Sequence, residues 1–103
     1  MMDGRTYRRH LLMRMVECNV PDHLHEGLIE YLAARRPVGH FLTAVLSNDL
    51  TETAIRADPY VRPYIADVVT FLLNYAPADA WGDEKRVAAW LAAYPTPVQE
   101  VYE

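Results

Sequence analysis

The stretch FLTAVLSNDLTETAIRADPYVRPYIADVVTFLLNYAPADAWG, from Phe41 to Gly82, decides the fold. Phe41, Leu42, Val45 and Leu46 recur at three- and four-residue spacing, and so do Tyr64, Ile65, Val68, Val69, Leu72 and Leu73. An apolar set with that period lines one face of an α-helix. Between the two sets, Ser47-Asn48-Asp49 leads into LTETAIRA. Asn and Asp compete for nearby backbone hydrogen bonds, so this tripeptide ends one helix over 38–48 and caps the next. Asp58 followed by Pro59 is another start signal. Pro63 lacks an amide donor and crowds the preceding turn, which moves the regular helix towards residue 62. That helix, the longest expected, runs to Tyr75, with Pro77 fixing its exit.

Working outward, PDHLHEGLIEYLAARR puts Leu24, Leu28, Tyr31 and Leu32 on one stripe with Asp22 as cap, which predicts a helix over 22–35. Pro37 and Gly39 end it, and Arg35 and Arg36 suit the negative end of its dipole. Further back, Tyr7, Leu11, Met15 and Cys18 fall at helical spacing, so RTYRRHLLMRMVEC forms a helix that stops before Pro21. On the other side, Asp83 caps a final helix with Val87, Trp90, Leu91 and Tyr94 facing inward, stopped by Pro95 and Pro97. No strand pair survives this reading, because the β-branched run Val68 to Thr70 is itself flanked by residues at helical spacing. The expectation is an all-α fold: a single compact domain of five or six short helices over residues 1–103. Residues 1–6 and 96–103 are expected as tails. Leu28, Leu42, Val45, Leu46, Val69, Leu72 and Leu91 are the expected core.

A chain of 103 residues that is 51% hydrophobic has the size of one domain and the apolar surface for one modest core. There is no uninterrupted apolar run of membrane-spanning length, and the Arg-rich start is not followed by an apolar signal region; a cytoplasmic protein without a membrane partner is expected. The single cysteine, Cys18, has no second thiol to pair with and suits a small buried apolar position. The net charge of −4 is uneven: residues 1–14 carry four arginines against one aspartate, leaving −7 on the rest. Such a body argues against a whole-surface nucleic-acid binder and suits a protein that approaches a basic surface on another protein. The basic N-terminal stretch reads as a solubilising tail.

The ordered segments PDHLHEGLIEYL, GHFLTAVLSNDL, ADVVTFLLNYAP and AWG, followed by a helix with Val87 and Trp90, resemble a widespread group of small proteins of bacteriophages, prophages and other mobile elements. The resemblance covers Pro21 to Leu91. It implies a genomic setting and carries no activity with it. One departure is local: AARRPVG has Arg35 where such sequences often place glycine.

Candidate chemistry is sparse. His23, His25 and Glu26 are ligand types for a transition metal, but residues two apart on a helix point about 200° from one another, and no three- or four-ligand set emerges. Ser47, the only serine, has no glycine elbow around it, and Cys18 has no histidine at a diagnostic spacing. No phosphate-binding glycine loop occurs. A non-enzymatic protein without cofactor or metal is therefore expected. Asn48 and Asp49 at the end of the central helix, with Asn74, Tyr75 and Trp81 at the end of the longest, form the candidate binding set, because aromatic rings beside polar groups anchor partners and flat ligands. Together these point to a mobile-element accessory protein that binds a host protein or complex, inhibition of a defence system being one such role. The alternative is a small-ligand protein that sequesters a nucleotide signal. Nucleic acid is disfavoured as a partner, and self-association is compatible with the sequence.

Overall fold

A computed structural model describes residues 3–93 of the chain. Among them are six α-helices and no strand: α1 (Gly4–Glu17), α2 (His25–Ala34), α3 (His40–Leu46), α4 (Leu50–Arg56), α5 (Ile65–Tyr75) and α6 (Glu84–Ala92). Short 3₁₀ turns over Asp22–Leu24, Arg62–Tyr64 and Ala78–Ala80 lead into α2 and α5 and precede α6. The all-α expectation holds, and no helix among the described residues is long and apolar enough to cross a membrane. Tyr94 and the expected tail over 96–103 lie outside the described residues.

Aspartates start three of the six helices and one turn. The Oδ1 atoms of Asp3, Asp49, Asp58 and Asp83 accept the amides of Thr6 (2.8 Å), Glu52 (3.1 Å), Val61 (2.8 Å) and Arg86 (2.8 Å), each satisfying a donor that a helix or turn start leaves without a partner. Asp22 departs from its expected role: it sits exposed inside the 3₁₀ turn, which begins after Pro21 without a side-chain cap, and α2 starts only at His25. Pro63 delays α5 beyond the expected residue 62: its regular turns begin at Ile65 once the 3₁₀ turn has absorbed the missing donor, and at 11 residues it is shorter than the 14-residue α1 and not the longest helix.

Three helices end on left-handed residues that are not glycine: Asn19 (φ 65°), Arg35 (φ 58°) and Asn48 (φ 60°). After α1 and α3 the next amide closes back five residues, Val20 to the Met15 carbonyl (3.0 Å) and Asp49 to that of Ala44 (2.9 Å), so otherwise orphaned carbonyls are paired. Asparagine tolerates this conformation through its short polar side chain. Arginine has no such excuse, and at position 35 a second contact holds it.

The core draws on every helix except α4. Leu28, Leu42, Val45, Leu46 and Leu72 are buried as expected, whereas Val69 and Leu91 are only partly buried and pack against its margin. The N-terminal segment contributes more than its sequence suggested. Leu11 and Met15 are fully buried, and burying such a side chain stabilises by roughly 1.5–3 kcal/mol. Helix α1 therefore packs on α2 and α5 as part of the domain, and it already begins at Gly4, inside the stretch expected as a tail. Glu30 of α2 fastens that packing by pairing with Arg8 of α1 and with Arg36 (3.1 Å).

Candidate functional site

The α3–α4 hairpin frames a groove of about 740 Å³. Its floor and walls come from His40, Thr43, Ala44 and Ser47 of α3, Asn48 and Asp49 of the turn, and Leu50, Thr51, Glu52 and Arg56 of α4. Val38 and Glu84 close its rim. The local chain makes this shape because Asn48 reverses direction in the left-handed region and Asp49 immediately restarts a helix. From outside, the Gly82 amide donates to the Leu46 carbonyl at 2.8 Å and ties the segment before α6 to the end of α3. Gly82 has φ 122°, a conformation that strains a residue with a Cβ, so glycine suits that approach.

Helix α4 is inside out. Its buried side chain is Thr53, whose hydroxyl donates to the Asp49 carbonyl at 2.7 Å, while Leu50 and Ile55 are 79% and 63% exposed. Leu50 borders the groove. The charge around it is mainly negative: Asp49, Glu52 and Glu84 stand against Arg56, and the Arg56 Nε already donates to Glu52 at 3.1 Å. A smaller depression of about 340 Å³ shares Val38, His40 and Arg56 with the groove and adds His23, Gly27, Asp58 and Val61. At its edge the His23 ring lies 5.5 Å from that of Tyr60, and Tyr60 lies 6.3 Å from Tyr64.

Of the five residues singled out in the sequence, the structure brings Asn48 and Asp49 together in the groove; Asn74, Tyr75 and Trp81 do not line it. Tyr75 belongs to the α1–α5 seam, its ring centroid 5.9 Å from Phe71, 6.1 Å from His10 and 5.8 Å from the Arg14 guanidinium carbon. Asn74 is exposed on the last turn of α5, and Trp81 is partly buried against the core. His23 and His25 are directed to separate partners, Tyr60 and the Val20 carbonyl (2.7 Å from Nε2), and no cluster of three or more metal-binding side chains occurs among the described residues.

Sequence reasoning missed His40, Leu50, Arg56 and Glu84. A signal existed for Leu50 and Ile55: residues five positions apart cannot share a helix face, whereas the small pair Thr53 and Ala57 can. Comparison with known proteins found no matching family model, no matching curated protein and no matching solved structure.

Proposed function

We propose that this chain is a non-enzymatic accessory protein of a bacteriophage or other mobile element, working in the host cytoplasm by binding a host macromolecule, with inhibition of a defence system as its effect. The observation that carries the reading is the reversed polarity of α4. A seven-residue helix that turns Leu50 and Ile55 to solvent while burying Thr53 gains nothing for the fold from those apolar side chains. Exposed apolar groups, with Leu50 on the groove and Ile55 on another side of the same helix, are what a partner surface requires. The carboxylates of Asp49, Glu52 and Glu84 favour a protein partner with a basic surface and oppose phosphate.

The test is affinity purification from a bacterial host lysate with the parent chain and with Leu50→Asp, Ile55→Asp and Asp49→Ala, each checked for folding by circular dichroism. A protein retained by the parent and lost from the two Asp variants supports the reading. Identical recovery with all four chains would remove α4 from the binding surface.

A second reading rests on the groove's size. Its volume of about 740 Å³ falls within the range of about 300–1,000 Å³ of small-ligand pockets, and Thr43, Ser47 and Asn48 offer polar contacts. Sequestration of a nucleotide signal would show as a rise in melting temperature with one member of a nucleotide panel, lost in Asp49→Ala. The negative charge of the rim makes this the weaker reading.

A further inference from the structure

We propose that the solvent face of α1 is a self-association surface on which a second copy of the chain lays its own α1 in antiparallel orientation. Leu12, Met13 and Val16 are 41%, 50% and 59% exposed; Met13 and Val16 point away from the stripe of the fully buried Leu11 and Met15, and Leu12 flanks it. Three large apolar side chains on one exposed helix face form a contiguous patch that solvent does not favour.

The charges on that face choose the occupant. Arg5 and Arg9 lie on it, exposed, and form no ion pair among the described residues, whereas Arg8 and Arg14 are engaged with Glu30 and Glu17. Cations near a helix start oppose the helix dipole, and Asp3 at the N-cap is the single carboxylate set against Arg5 and Arg9 there. An antiparallel second copy resolves this. With the two-fold axis near Met13, the apolar patches meet at the centre, and Arg9 of each copy comes opposite Glu17 and the carbonyl end of the other α1. A parallel arrangement would stack Arg5 on Arg5 and Arg9 on Arg9. Two-fold symmetry also closes the assembly at two copies.

The contact is small. A helix of 14 residues is about 21 Å long, and two such faces bury less than the roughly 1,200 Å² at which tight complexes begin, so the dimer is concentration-dependent. Sedimentation velocity on the full chain, over a wide concentration series at low salt and in reducing buffer that prevents Cys18 cross-linking, reads it directly. The parent should shift from monomer towards dimer as concentration rises, and Val16→Glu should stay monomeric with unchanged helicity. Arg9→Glu and Glu17→Arg should each weaken dimerisation severalfold, and the double variant should restore it, because the swapped pair again meets across the axis. A parent that stays monomeric throughout the series, a dimer indifferent to Val16→Glu, or single variants without rescue in the double would each overturn the proposal.

Discussion

The guanidinium carbon of Arg35 lies 3.6 Å from the centroid of the Trp90 ring, and its Nη1 donates to the Trp90 carbonyl at 3.2 Å. This contact joins the end of α2 to α6 and accounts for a left-handed arginine at a position that suits glycine. The backbone conformation costs about 1–2 kcal/mol for a residue with a Cβ, and a close cation–π contact returns roughly 0.5–2 kcal/mol.

Two substitutions separate those terms. Arg35→Ala keeps the backbone strain and loses the stack, and should lower stability by about 0.5–2 kcal/mol in urea denaturation. Arg35→Gly loses the stack and relieves the strain, so it should be the more stable variant by about 1 kcal/mol. Equal stability of the two would show that position 35 is not strained.

Tyr31 gives a test at alkaline pH. Its fully buried hydroxyl donates to the Ala80 carbonyl at 2.6 Å, and burial pushes its pKa up to about 12, against the opposing charge of Arg35. An acid whose pKa is raised on folding contributes its full stability below the unfolded value near 10 and loses it as pH rises through the folded value. Tyr31→Phe should cost about 1–3 kcal/mol at neutral pH by leaving the Ala80 carbonyl unpaired. The gap between parent and variant should then narrow between pH 10 and 12. A gap constant over that interval would contradict the assignment.

Glu30 gives a test at acid pH. The hydrogen bond from Arg8, with the charges of Arg8 and Arg36, holds its carboxyl below the usual carboxylate value of 4.5. The stabilisation is present above that value and is lost as pH falls through the lowered one. Both partners are partly solvent-exposed, so the effect is modest and screened by salt. Glu30→Gln should be less stable than the parent at pH 7 and converge with it on acidification. A difference that does not change with pH would leave the ion pairs without a role in stability.

Core substitutions should grade with depth. Leu46 and Leu72 are fully buried, and replacing either with Ala should cost about 2–5 kcal/mol. Val69→Ala and Leu91→Ala, at the margin, should cost clearly less in thermal denaturation. Equal losses at all four positions would mean that the margin is as tightly packed as the centre.

The helices were legible because periodic apolar residues, aspartates and prolines act over a few neighbours: Asp49, Asp83 and Pro63 shape the backbone as their chemistry dictates. Helix α1 was legible as a helix, but its place in the core was not, since four arginines obscured how deeply Leu11 and Met15 are buried. The site was legible only at Asn48 and Asp49, where sequence neighbours share one turn. Whether Asn74, Tyr75 and Trp81 join them depends on how helices far apart in sequence pack, and local spacing carries no such information. The same holds for Glu84, which reaches the groove rim from α6.

Helix α6 fully buries only Val87, with Trp90 and Leu91 at the margin of the core, and its ties to α2 converge on one residue: Trp90 Nε1 donates to the Tyr31 carbonyl at 2.8 Å, beside the Arg35 bond to Trp90. These links close chain segments of 59 and 55 residues. A unit attached this way opens by local unfolding well below the free energy that opens the whole domain. Its amides should therefore exchange with deuterated solvent ahead of those of α2 and α5. Because Glu84 stands on the groove rim, each opening withdraws it from the groove. An occupant that engages Glu84 would then protect amides in α6 that it never touches, and slower exchange there becomes a reporter of occupancy even before the occupant is known.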